Sequence, residues 1–228
     1  MMPSPLDRPT ETPILVSDFD GTLTQHDFYQ LVMDRRLAPG TPNYWQRYVD
    51  GEITHFDALR FTFEAAEPGE DELVELTLQM ELEADLAREL EALREAGWEV
   101  VVVSAGSIWY IDRLLREAGV TLEVHTNRGR IEGGRLLMER PADSPFLSHQ
   151  TGIDKAAVVR AALEGGRTVA FAGDGRPDLE PALLVPPDRR YAHRGKDLAE
   201  ALLARGESFH PFDRWAEVAQ SLREGAPS

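Results

Sequence analysis

Val16-Ser17-Asp18-Phe19-Asp20-Gly21-Thr22-Leu23-Thr24 decides how this 228-residue chain is read. The apolar run Ile14-Leu15-Val16, started by Pro13, predicts a short buried strand. Two aspartates one residue apart end it, and Gly21 lets the chain turn sharply. In extended chain, residues i and i+2 project to one side, so both carboxylates face one point beyond the strand. Two such anions repel unless a cation or a proton sits between them. A hard divalent ion fits, and Mg²⁺ favours one or two carboxylates plus substrate phosphate. The plainer alternative, an Asx-rich turn, explains one aspartate but not the whole string. At roughly 5% usage per residue type, Asp-x-Asp-Gly-Thr arises by chance in about one chain of this length in a thousand.

Outward from this stretch, three further segments carry chemistry. Glu99-Val100-Val101-Val102-Val103-Ser104 reads as a parallel strand buried on both faces. Ser104-Ala105-Gly106-Ser107 is then expected to open a helix running through Ala118. Ser104 is a cap there, and a hydroxyl with free amides at a helix start also suits an anion. Asp154-Lys155 begins another expected helix. A lysine is out of place at a positive helix end, and Lys155 and Lys196 are the chain's only lysines. Thr168–Ala172 predicts a strand, followed by Gly173-Asp174-Gly175-Arg176-Pro177-Asp178, which is either an Asp-Gly turn or a second acidic pair.

These four segments, in order and each at a strand end or just beyond, resemble the motifs of the haloacid dehalogenase superfamily of phosphohydrolases. The resemblance implies an α/β fold: a Rossmann-like, mostly parallel sheet core with a helical-bundle cap inserted after the first strand. It implies Asp18 as nucleophile and Asp20 as acid and base. Gly21, Thr22, Ser104, Ala105, Gly106 and Lys155 would hold the phosphoryl group, through backbone amides in the Asp20–Thr22 turn. Mg²⁺ would sit on Asp18, the Asp20 carbonyl and Asp174, with Asp178 behind it.

Between the first two strands, helical patterns cover about 26–35, 44–49, 55–65 and 70–80, and another covers 84–96. Residues 25–80 hold eight of the chain's 18 aromatics, which form a small bundle core or line a pocket. The expected division is therefore a core of 1–23 and 86–228 and a cap of 24–85. The arrangement is similar to the phosphoserine phosphatase-like group. Asp27 falls where that group sends an acidic residue into the site from the cap; as a helix cap it has a plainer role. Phe28 and Arg60 are the other expected cap contacts. Thr62 or Phe63 stands where that group places a carboxylate-clamping arginine. The tail, Ala192-His193-Arg194-Gly195 through Phe209-His210-Pro211-Phe212-Asp213, resembles the methionine-salvage phosphatases that act on 2-hydroxy-3-keto-5-methylthiopentenyl-1-phosphate. Phosphoserine and other small phosphomonoesters remain the alternatives. A phosphomutase or a non-catalytic phosphate-binding module on the same fold stands further off.

Later in the chain, Arg130–Leu137 reads as a hairpin with a Gly-Gly turn, and Tyr191-Ala192 as the last strand. Closing helices are expected over 196–205 and 214–223. Composition narrows the partners. With 24 basic against 40 acidic residues and net charge −16, a general nucleic-acid or anionic-membrane surface is not expected. A small phosphorylated metabolite is, bound by a monomer or homodimer. Cysteine is absent, which removes disulfides, thiolate metal sites and thiol nucleophiles and is compatible with the cytoplasm. Residues 1–12 are polar and Pro-rich without a signal-peptide core, and no run reaches the roughly 18 apolar residues of a membrane span.

Overall fold

A computed structural model describes Leu6 and residues 12–225. Residues 1–5 and 7–11 of the polar, Pro-rich N-terminal stretch and 226–228, all within the expected core, lie outside the described residues. In chain order the elements are β1 (Ile14–Ser17), α1 (Phe28–Arg36), α2 (Tyr44–Val49), α3 (His55–Ala65), α4 (Glu70–Leu78) and α5 (Leu86–Glu95). Then follow β2 (Glu99–Ser107), α6 (Ile108–Glu117), β3 (Glu123–Glu132), β4 (Arg135–Glu139), β5 (Leu147–Ser148), β6 (Gly152–Ile153) and α7 (Lys155–Glu164). The chain closes with β7 (Val169–Gly173), α8 (Leu179–Leu184), β8 (Arg190–His193), α9 (Asp197–Ala204), β9 (His210–Phe212) and α10 (Trp215–Glu224).

Seven strands form one sheet in the order β4-β3-β2-β1-β7-β8-β9. All neighbours are parallel except β3 and β4, which form the Gly133-Gly134 hairpin. The fold is thus the expected α/β, mostly parallel sheet. Its central strands β1, β2 and β7 are buried on both faces, as the valine run implied. Leu15, Val102 and Ala170 enter one core cluster, and their neighbours Ile14, Val16, Val101, Val103, Val169 and Phe171 enter the other. Strand alternation thereby feeds two cores, one on each side of the sheet.

Helices α1–α4 all fall between β1 and α5. Where the chain leaves and returns, Thr24 bridges Leu82 and the Glu83 amide donates to Leu23 O at 2.8 Å. Phe28, Val32, Phe56, Phe63, Leu73 and Leu76 share one continuous cluster with Leu15, Val102 and Trp215 of the sheet side. The β3–β4 hairpin supports this bundle from below. Gly69 N donates to Gly134 O at 2.8 Å, and Arg135 Nε to Ala66 O at 2.9 Å.

Three expectations need correction. First, β2 does not stop at Ser104. It continues through Ser107, whose side chain, not that of Ser104, caps α6 by accepting from Trp109 N. Asn127 and Thr126 on β3 bond the Ala105 and Gly106 carbonyls, which holds this stretch extended. Second, β8 is not the last strand. His210–Phe212, interrupted by Pro211, still pairs with β8 as an edge strand. Third, α1 starts at Phe28 instead of His26, because Thr24 Oγ1 ties back to His26 O and Asp27 stands in extended backbone.

Candidate active site

β1 is the point where the sheet order reverses. The chain runs β1, β2, β3 to one side and then β7, β8, β9 to the other. Ligands of open parallel sheets bind beyond the strand ends at such a point. Asp18 and Asp20 follow β1, Asp174 follows β7, and Ser104 lies in β2. All four line a cavity of about 320 Å³. Ala105, Gly106, Lys155, Asp178 and Asp27 line it too, together with Tyr29, Gln30, Trp45, His55 and Leu59 of the helical bundle.

Asp18 is buried. Its Oδ1 accepts from Phe19 N at 2.7 Å and lies 2.7 Å from Lys155 Nζ. Lys155, also buried, reaches Asp178 Oδ1 at 2.6 Å. The same Asp178 accepts through Oδ2 from the amides of Asp174 and Gly175 at 3.1 and 2.9 Å. Asp178 therefore fixes both the loop carrying Asp174 and the lysine facing Asp18. Burial opposes the charge on Lys155, but Asp178 and Asp18 hold its pKa above the ordinary value.

Asp18, Asp174 and Asp178 each present an oxygen within 4.8 Å of the others. Burial raises the pKa of Asp18 and Asp174; repulsion from Asp178 adds to both, and Asp27 adds to Asp174. Lys155, with Lys196 half-exposed 3.6 Å from Asp174, does not neutralise three buried carboxylates, and a hard divalent cation on this oxygen set would. Asp18 and Asp174 are the residues that fit as ligands, because both oxygens of Asp178 are already engaged. Gly21 takes φ +68°, and a Cβ there would fall 2.1 Å from Asp174 Oδ2.

Asp20 stands outside this acidic group. Its Oδ2 accepts from Tyr110 Oη at 2.9 Å and from Ser104 Oγ at 3.2 Å, and its Oδ1 from Phe28 N at 3.2 Å. Burial, aided by Asp27, raises its pKa to about 7 despite these donors. The two aspartates of one turn thus meet different surroundings: Asp18 faces a cation, and Asp20 faces neutral hydroxyls.

Several expected contacts take other places. The Gly21 amide donates to Thr24 Oγ1 at 3.1 Å and the Thr22 amide to Phe19 O at 3.2 Å. Both are spent closing the turn, so Gly21 and Thr22 do not offer amides to a phosphoryl group. Neither residue lines the cavity. The Phe28 ring is wholly buried against Tyr110 and Phe63, at centroid distances of 4.6 and 5.5 Å. Phe28 serves the site through its amide on Asp20. Arg60 lies outside the cavity wall. It pairs with Asp57 at 3.4 Å and Glu64 at 3.7 Å, and its guanidinium covers the Phe61 ring. Helical spacing brings those partners to it. Asp27, half-buried, does line the cavity, and its Oδ2 lies 3.9 Å from Lys196 Nζ.

Sequence reading missed Tyr110, His55 and the placement of Lys196. Nothing local separates Tyr110 from an ordinary core aromatic. Lys196 carried the one available signal, the scarcity of lysine. It lies 3.6 Å from Asp174 Oδ2 at the cavity wall, so both lysines of the chain serve this acidic site.

The sequence model of the haloacid dehalogenase-like hydrolase family matches residues 15–182. The chain belongs to that family and is an enzyme of the hydrolase class. Among solved structures it is similar to a HAD family hydrolase from Salmonella enterica serovar Typhi, with TM-score 0.70 and 16% identity over 95% of this chain and 72% of that one. It is similar to a substrate-bound phosphoserine phosphatase, with TM-score 0.65 and 15% identity over 92% and 98% of the two chains. The phosphoserine phosphatase of T. onnurineus gives TM-score 0.65 and 17% identity over 96% and 98%. At these identities the likeness shows the fold. No curated protein sequence matches the chain.

Proposed function

We propose that the chain is a Mg²⁺-dependent phosphatase of small phosphomonoesters that works through an aspartyl-phosphate on Asp18. One observation carries this reading. Asp18, ringed by a cation and further carboxylates, stands two residues from an Asp20 whose pKa lies near 7. A binding module has no use for such a pair.

Both contacts to Asp18 fall on Oδ1 and leave Oδ2 for phosphorus. As the P–O bond to the leaving group breaks, Asp20 gives its proton to the departing oxygen. The Asp20 carboxylate then takes a proton from the water that attacks the phosphoryl group, and Asp18 is restored. Lys155 and Ser104 lie beside the phosphoryl oxygens, where charge gathers in the transition state. A bound Mg²⁺ supplies further positive charge at Asp18 and Asp174. Residues 24–85 act as a cap that encloses the leaving group. Phosphate release from p-nitrophenyl phosphate, with Mg²⁺ and with EDTA, tests the reading: EDTA should abolish it, and unchanged release would refute it.

The substrate we favour is the hydroxy-keto-methylthiopentenyl phosphate of methionine salvage. The bundle's share of the cavity wall supports it: Tyr29, Gln30, Trp45, Leu59 and His55 are apolar or neutral, its acidic member Asp27 faces Lys196, and Arg60 lies outside the wall. Phosphoserine would bring a carboxylate to a bundle wall with no cation, while Arg176 and Lys196, the cavity's cations besides Lys155, already face Asp197, Asp27 and Asp174; a buried carboxylate left without a partner costs several kcal/mol or more. Phosphoserine remains the second reading, favoured by the fold likeness alone. Comparing kcat/KM for phosphoserine with that for an enol or keto phosphate bearing an apolar tail separates the two.

A further inference from the structure

His55 opens α3 directly after its Thr54 cap, and the Phe56 amide pins this turn to Gln150 O at 2.9 Å. The imidazole is 7% exposed and forms part of the cavity wall. Trp45 and Tyr48 hold it edge-on, with ring centroids 5.6 and 5.1 Å away. Neither ring nitrogen makes a hydrogen bond to a described residue, and Nδ1 is fully enclosed. A buried polar group with no partner costs free energy, and such groups are uncommon in folded proteins. The other buried hydroxyls of this wall, on Ser104, Tyr110 and Tyr29, are hydrogen-bonded.

The ring is also neutral. Burial lowers its pKa to about 4, and the nearby Lys155 ammonium pushes the same way. A neutral imidazole has one donor and one acceptor and gives no charge to an anion. The matching group is an uncharged oxygen: a hydroxyl, which both donates and accepts, or a carbonyl. Nε2 is not enclosed as Nδ1 is, and it is the ring nitrogen left for a molecule in the cavity.

We infer that His55 is a specificity-determining residue, which hydrogen-bonds an uncharged hydroxyl or carbonyl oxygen on the leaving group of the phosphomonoester. The inference rests on the phosphatase reading and narrows it. It assigns the substrate class as phosphate esters of hydroxy or keto carbon chains, as opposed to plain alkyl phosphates.

The test compares wild type with His55→Phe and His55→Gln on dihydroxyacetone phosphate, glycerol 1-phosphate and n-propyl phosphate, with Mg²⁺. Phe keeps a flat ring between Trp45 and Tyr48, so His55→Phe should melt at or above the wild-type temperature. For the two oxygenated esters, kcat/KM should fall about 5- to 15-fold in His55→Phe, as expected for one neutral hydrogen bond. It should change less than about 2-fold for propyl phosphate and recover in part in His55→Gln. Equal losses on all three esters, or none, would overturn the assignment. If wild type hydrolyses none of them, release from p-nitrophenyl phosphate decides the phosphatase reading separately, and His55 is tested by NMR. Its ring signals, assigned by their loss in His55→Gln, should move with dihydroxyacetone phosphate and stay put with propyl phosphate. A ring that answers neither, or both alike, overturns the inference.

Discussion

Asp20 shows how one side chain is tuned by the groups around it. Burial disfavours its charge, while Tyr110 Oη, Ser104 Oγ and the Phe28 amide favour it, and the balance falls at about 7. Tyr110→Phe removes one donor to the carboxylate. The alkaline limb of the kcat/KM profile for a poor leaving group should therefore move to higher pH, and an unmoved limb would detach Tyr110 from the acid. Asp20→Asn should let p-nitrophenyl phosphate phosphorylate Asp18, because that leaving group needs little acid help. Hydrolysis of the intermediate should then stall, so that acid quench traps a phosphoenzyme. Gly106 sits where a Cβ would fall 1.7 Å from Tyr110 Oη and 2.8 Å from Asp20 Oδ2. Asp18, Asp20, Lys155 and Asp174 were legible because each is announced by its own short string. Tyr110 and His55 reach the cavity from distant elements and are of types common in cores, while Lys196 offered only the scarcity of lysine. The Gly21 and Thr22 amides misled because the turn's internal hydrogen bonds do not show in residue types.

At the scale of elements, apolar runs and glycines marked most strands and helices, and the errors have local causes. β2 outlasts Ser104 because β3 side chains hold its carbonyls, a tertiary effect that a small-residue string does not carry. β9 was missed because three residues around a proline make no pattern. The β3–β4 hairpin was recognised, but its contact with the bundle was not. Gly134 takes φ +75°, and a Cβ there would lie 2.9 Å from Gly69 N. Gly134→Val should therefore both strain the turn and push the hairpin from the start of α4. The expected cost is about 1–3 kcal/mol of stability, read by denaturant unfolding. Because the site residues lie elsewhere, Asp18 phosphorylation should survive while KM for capped substrates rises. A variant as stable as wild type would show that the hairpin does not brace the bundle.

For the molecule as a whole, the sheet's reversal at β1 gathers carboxylates from two strand ends and a lysine from a third element into one buried cluster. Without a metal this costs stability in a pH-dependent way. The folded-state pKa values of Asp18, Asp20 and Asp174 are raised. The folded state thus holds protons the unfolded chain has lost, and this contribution is lost as pH rises through the folded values. His55, lowered to about 4, acts in the opposite sense only below its ordinary value near 6.5. Between pH 6.5 and 8 the melting temperature of EDTA-treated protein should therefore fall. Mg²⁺ should raise it most at pH 8, and Asp174→Asn should weaken both effects. A flat profile would mean that the cluster is not strained.

The central claim is that Asp18 becomes covalently phosphorylated. The direct measurement is peptide mass spectrometry of Asp20→Asn protein, quenched in acid after mixing with p-nitrophenyl phosphate and Mg²⁺. One phosphoryl group is expected on the peptide containing Asp18, absent in EDTA and absent in the Asp18→Asn, Asp20→Asn double variant. Phosphate released by wild type with the label on another residue, or label that persists in the double variant, would contradict it.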